Sequence, residues 1–287
     1  MELKKSGELR RKAWEKLSGC WGECVSMLLV EAGISAVLIL SALLIIKFCY
    51  TYGIVDFDID TFWKDGTLTF YIIAAVLTAA ALLFISPLRY GVSWFCLQTA
   101  KGRSVPSSSL FSCYTNNTIF VRTLKLQLAV AARHFMLVLP AAALGVAEVL
   151  LAKNALKDTK DGFIYTVVLC CLILIMAVML FIYLFVSLRY SLVTYIFAEN
   201  PEKSVDEIIR ESKQCVRGKE SYILEVLLST GPWIASGLLI FPLVFALPYI
   251  KMTFTLAAKE LMEYNSDDIS AEAGRRTTQR KEESTFV

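Results

Sequence analysis

Residues 163–188 constrain this chain more than any other stretch: 26 consecutive positions carry no Asp, Glu, Lys or Arg. As a helix, rising about 1.5 Å per residue, such a run exceeds the ~30 Å hydrocarbon core of a bilayer. In hydrocarbon every backbone N–H and C=O needs a partner within the chain, and a helix supplies it locally. Comparable apolar stretches recur, and the chain is 56% hydrophobic over 287 residues, above the ~45–50% of soluble domains. The fold class expected is therefore all-α, a polytopic transmembrane helical bundle. The formal net charge of +3 leaves no electrostatic footprint for nucleic acid.

Hydropathy predicts six spans, at about 24–46, 67–89, 126–152, 163–189, 221–238 and 241–260. The last two divide one apolar stretch, charge-free over 226–250, by a turn near 237–242; Gly231-Pro232 is expected to kink the fifth. Residues 1–23 form a basic amphipathic helix suited to an anionic leaflet. Lys4, Lys5, Arg10, Arg11, Lys12 and Lys16 supply the charge, while Leu9, Ala13, Trp14, Leu17 and Trp21 recur at helical spacing. The apolar run behind them is too long for a cleaved signal peptide and reads as an uncleaved anchor. Residues 263–287 are polar and aperiodic, the composition of a disordered tail.

Lys and Arg in short loops favour the cytoplasm. The N-terminus and residues 99–125 and 199–220 are basic, whereas the 47–67 loop carries Asp56, Asp58, Asp60 and Asp65. Alternating spans put the three basic segments on one side, with both termini cytoplasmic. The acidic loop lacks the Gly and the closing Glu of a calcium loop.

An interfacial amphipathic helix is expected between spans four and five. Ser204 and Glu207 make a capping box. Val205, Ile208, Ile209, Ser212 and Val216 share one face; Asp206, Glu207, Arg210, Lys213 and Arg217 share the other; Gly218 fits the C-terminal cap. This region also repeats. Leu88-Arg89-Tyr90 returns as Leu188-Arg189-Tyr190, and Ser104-Val105 as Ser204-Val205, at one constant offset. Two spans lie between, so the units, about 86–117 and 186–217, form a parallel repeat.

Charges inside a membrane are functional candidates. Glu31, Arg89, Arg189, Arg133 and Glu225 fall near the cytoplasmic ends of their spans. They suggest a polar layer in which Glu31 pairs with Arg89 or Arg189. The plainer reading is snorkelling arginines with Tyr90, Tyr190 and Tyr249 as belt aromatics. A carboxylate cannot snorkel far, so Glu31 is expected to have a partner. His134 is the single histidine, and the eight cysteines include no Cys-x-x-Cys pair. No zinc-protease motif, nucleophile elbow or Walker sequence is present, so neither catalysis nor a cofactor or metal is expected.

Tyr190, Tyr195-Ile196 and Glu199-Asn200-Pro201 are followed by Ile208, Ser212-Lys213 and Gly218-Lys219, then a late Pro248-Tyr249 and Thr253. This series resembles a bacterial family of polytopic membrane proteins known as domain of unknown function 975, over nearly the full chain. Family-motif positions are Tyr190, Pro201, Ser212, Gly218, Pro248 and Tyr249. The chain is more distantly similar to the membrane domain attached to some glycerophosphodiester phosphodiesterases, a module and not their catalytic part. The resemblance implies a bacterial cell-membrane location and names no substrate. The expectation is a non-enzymatic membrane module or accessory subunit whose partners are the lipid bilayer and other membrane proteins. The alternative is a small-solute or lipid transporter or channel built on the polar layer.

Overall fold

The computed structural model describes residues 5–51, 65–157, 162–236 and 240–285. Among them the chain is all-α, with no strand. Eleven α-helices follow in order: α1 Ser6–Leu17, α2 Trp21–Thr51, α3 Asp65–Ala100, α4 Ser112–Thr115, α5 Asn117–Lys157, α6 Gly162–Leu188, α7 Val193–Glu199, α8 Val205–Val216, α9 Glu220–Ser229, α10 Gly231–Ser236 and α11 Ile240–Thr285. A short 3-10 segment, Ser107–Phe111, precedes α4.

Among the described residues four stretches are long and apolar enough to cross a membrane, not six: Trp21–Ile45, Ala75–Ala100, Asn117–Glu148 and Thr166–Glu199. The expected spans at 221–238 and 241–260 are not among them. The chain breaks between α9 and α10, at Thr230, and α9 has 10 residues. That length covers only about 15 Å, half the hydrocarbon thickness. α11 is long, but it carries Lys251, Lys259 and Glu260, and although Phe245 and Leu247 are exposed, many of its apolar residues face protein. Ala246, Tyr249, Met252, Ala257, Ala258 and Leu261 are all buried, in a helix packed by α1, α2, α3, α7, α8, α9 and α10. α11 also continues to Thr285, so the segment 263–287, expected to be a disordered tail, is helical as far as Thr285.

The buried core sits at one end of the spans. It joins α1, the start of α2, the end of α3, α7, α8, α9 and the first half of α11. α1 buries Leu9, Ala13 and Leu17 and packs on α11 and α9. Outside this body the spans run as two hairpins, α2 with α3 and α5 with α6. None of the most apolar stretch of α5 or of α6 is buried within the chain.

The two stretches related by the sequence offset run through comparable elements, with connectors of different kind and length. Each has a helix after its Arg-Tyr, a turn, a serine and a short helical connector. These are the end of α3, 101–103, Ser104 and the Ser107–Thr115 segment in the first, and α7, 200–203, Ser204 and α8 in the second. Tyr90 in α3 packs on Phe197 in α7, with ring centroids 5.0 Å apart. The first connector crosses α3 at Gly91, where an added Cβ would lie 2.4 Å from the Leu110 carbonyl oxygen. The glycine is what allows that approach. Just before it, Pro87 interrupts the backbone ladder of α3. Tyr114 Oη donates to the Phe84 carbonyl at 2.8 Å and ties the connector to this turn.

Candidate functional site

α8 forms because its ends are satisfied. Ser204 Oγ accepts from the Glu207 N–H, and the Glu207 carboxylate accepts from the Ser204 N–H at 2.9 Å and from its hydroxyl at 2.8 Å. Those two bonds from Ser204 hold the Glu207 carboxyl below its ordinary value. Gly218 takes φ +76°, the left-handed conformation in which glycine is least strained. Ile208, Ile209, Ser212, Cys215 and Val216 are buried, against α7, α5 and α11. The apolar face of α8 therefore meets protein rather than lipid.

The five charged candidates go to four places. Arg189, just past α6, pairs with Glu220 at 3.1 Å. Burial pushes the Glu220 carboxyl up, but its own backbone N–H and the Arg189 guanidinium outweigh this and hold it low. Arg133 in α5 pairs with Asp206 in α8 at 3.1 Å and donates to the Ala129 carbonyl. Glu225 is exposed on α9, within electrostatic reach of Tyr222. Glu31 and Arg89 are brought together around a residue that sequence reasoning did not single out, Lys251 of α11. Lys251 as a residue is partly exposed, but its ammonium lies deep, within electrostatic reach of Glu31, Arg89, Cys96 and Tyr195. Thr255 Oγ1, 2.8 Å from the Lys251 carbonyl and 3.4 Å from Tyr195 Oη, extends this polar cluster through buried groups. A lysine two residues after Pro248-Tyr249, inside an apolar run, was the signal available.

The motif positions are joints. Ser212 Oγ donates to the Arg189 carbonyl at 2.8 Å, meeting an acceptor left open where α6 ends. The Pro201 carbonyl accepts from Arg122 Nη1 at 2.6 Å. Tyr190 lies under Lys213 Nζ, 5.0 Å from its ring centroid, and against His134 at 5.1 Å. His134 Nδ1 faces the Val130 carbonyl at 2.9 Å, which can only accept, so Nδ1 donates there; Nε2 lies in hydrogen-bond contact with Ser187 Oγ at 3.2 Å. The single histidine thus latches α5 to α6. In α11, Pro248 is buried, and Tyr249 packs on Trp233 at 5.1 Å and Trp14 at 6.3 Å.

Among the described residues, clefts open on the surface of this assembly, and three bear on the site. One, of about 560 Å³, lies between the α1–α2 junction and the end of α3, with Lys16, Glu23, Phe95 and Arg103 in its wall. A second, of about 410 Å³, lies between α1 and α11 beside Lys101 and Lys259. The third, also about 410 Å³, is an apolar groove formed by Ile34, Leu38, Phe84, Leu88, Phe111 and Tyr114. Among the described residues no group of three or more His, Cys, Asp or Glu is placed to hold a metal ion.

A family profile described as "Protein of unknown function (DUF975)" matches residues 1–263, covering every one of these joints. The chain belongs to the DUF975 family. No curated protein and no solved structure matches it. Membership in DUF975 agrees with the apolar helices in making this a multi-pass membrane protein. The motif that carries the resemblance, from Tyr190 to Gly218, is the part of the DUF975 chain that locks α5, α6, α7 and α8 to one another.

Proposed function

We propose that this protein is a non-enzymatic membrane module, an accessory subunit of the bacterial cytoplasmic membrane with both ends of the chain in the cytoplasm. The observation that carries the reading is the division of the fold. One end is a packed body, while three of the four spans leave their most apolar part uncovered; only 6% of that part of α2 is buried and none of α5 or α6, against 44% of α3, which enters the body. Helices of this kind associate with neighbouring spans through packing and interhelical hydrogen bonds. The body then holds the hairpins at a fixed spacing for a partner. The basic face of the body supports the cytoplasmic orientation. Purification in mild detergent followed by native mass spectrometry tests this reading. A stoichiometric membrane-protein partner is expected, and cysteines placed at Glu211 and Ser266 should label only from the cytoplasmic side.

One observation favours a second reading, transport. Glu31 lies near Lys251 in a polar cluster shared by α2, α3, α7 and α11. Solute flux in proteoliposomes that Glu31→Gln abolishes without lowering the amount of protein would replace the module reading.

A further inference from the structure

The two repeat units use equivalent positions differently. In the second, Lys203 Nζ pairs with Glu211 at 2.7 Å, and Ser204 is engaged by Glu207. One hundred positions earlier the cation and the serine persist as Arg103 and Ser104, but the two acids are replaced by Phe111 and Ser107. Arg103 Nη1 donates to Gln98 Oε1 at 3.1 Å. Among the described residues no carboxylate lies within ion-pair distance of it. The first unit has the cation without the counter-ion.

That cation faces the 560 Å³ cleft, which falls in the size range of small-ligand sites. Lys16 reaches the same cleft from α1; its Nζ lies 3.5 Å from where a Cβ on Gly102 would be, and among the described residues it too has no carboxylate partner. Glu23 stands in the same wall, as does Glu15, which is also paired with Arg11 at 3.7 Å. The cleft lies where two apolar stretches end. The apolar stretch of α2 begins at Trp21 and that of α3 ends at Ala100, while the cleft is walled by residues on both sides of these limits. That position, with Trp14 and Trp21 edge to face at 5.4 Å on the adjoining helices, suits an opening at headgroup level.

We propose that this cleft binds a phosphate ester bearing a primary amine, presented as a phospholipid headgroup. Lys16 and Arg103 hold the phosphate, with Ser104 beside them, and Glu23 with Glu15 receives the ammonium. The inference stands independently of the module reading.

The test uses the full-length protein in mixed micelles, with lipid retention followed by native mass spectrometry. Phosphatidylethanolamine should be retained over phosphatidylglycerol. This order opposes general electrostatics, because a chain of net charge +3 attracts the anionic lipid. Arg103→Gln and Lys16→Gln should each weaken retention roughly tenfold, the loss expected for one charge-assisted hydrogen bond. Lys203→Gln, at the equivalent position of the second unit, should leave it unchanged. Glu23→Gln should remove the preference for the amine. The proposal fails if Arg103→Gln or Lys16→Gln binds like the parent, if Lys203→Gln weakens retention equally, or if phosphatidylglycerol is preferred. Competition by phosphoethanolamine at concentrations equal to the lipid would assign the cleft to a soluble phosphoester and overturn the lipid reading. Lys16 and Arg103 lie on different elements, so one variant still decides the matter if the other does not fold.

Discussion

Lys101 Nζ and Glu199 Oε1 meet at 2.6 Å, joining the end of α3 in the first repeat unit to the end of α7 in the second. The Tyr90–Phe197 contact joins the same two helices, with Tyr90 eleven residues earlier in the chain than Lys101, so a charge-assisted bond and an aromatic contact hold α3 to α7 at separate points. Both side chains are partly covered, at 26% and 33% exposure, so solvent screens the pair incompletely. Lys101→Met should cost about 1 kcal/mol, the upper end for pairs with solvent access. The reversed pair Lys101→Glu with Glu199→Lys should recover most of it. Thermal unfolding in detergent, arranged as a double-mutant cycle, measures the coupling.

The Gly91 contact predicts a steeper effect. Its missing Cβ would sit 2.4 Å from backbone oxygen, which cannot rotate away as a flexible side chain could. Gly91→Ala should therefore displace the first connector and cost about 1–3 kcal/mol, the range for overpacking a tight contact. Gly145→Ala is the control, since its nearest neighbour would be the Met176 sulfur at an ordinary 3.9 Å. Unfolding midpoints should drop for the first variant and hold for the second.

Local chemistry was legible in the sequence and long-range pairing was not. The capping box of α8, its two faces and the glycine after it depend on neighbours within a turn, and all are present. The error over spans five and six has one physical source. Hydropathy registers that residues 226–250 avoid water, which holds equally for a helix in lipid and a helix inside protein. Tyr249 and Met252 are buried by α1, α2 and α3, and Val226 by α1 and α11. The partners of Arg133 and Arg189 lie 73 and 31 residues away along the chain, on elements whose packing no local pattern encodes. The acidic loop at 52–64 lies outside the described residues.

Stability should fall on the acid side of neutrality, through Glu207 and Glu220. Both carboxyls titrate below their ordinary value in the folded chain. An unfolded glutamate titrates near ~4.3, so the unfolded state takes up protons first as pH drops. The stabilisation is complete above that value and disappears as pH falls through the lower folded values. Helical circular dichroism followed from pH 7 to pH 3 in detergent should show the loss, and Glu207→Gln and Glu220→Gln should each flatten it.

Tyr222 and Glu260 couple α9 to α11 and set the alkaline limit. Tyr222 Oη donates to Glu260 Oε2 at 2.9 Å, and Glu260 is only 3% exposed. Burial first, then the Glu260 charge, pushes the Tyr222 hydroxyl above its ordinary value. The sign follows from the proton balance. Below the ordinary tyrosine value of ~10 both states hold the proton and the bond contributes fully; above it the unfolded chain releases its proton while the folded one resists. Stability should therefore decline above about pH 10, and Tyr222→Phe should remove that limb of the profile. At neutral pH the same variant takes a donor from a buried carboxylate and should cost about 1–3 kcal/mol. Glu260→Gln should cost less, because a neutral amide oxygen still accepts from the phenol and needs less compensation for burial. Equal losses from the two single variants, in denaturation at neutral pH, would show that the carboxylate charge contributes nothing to this contact.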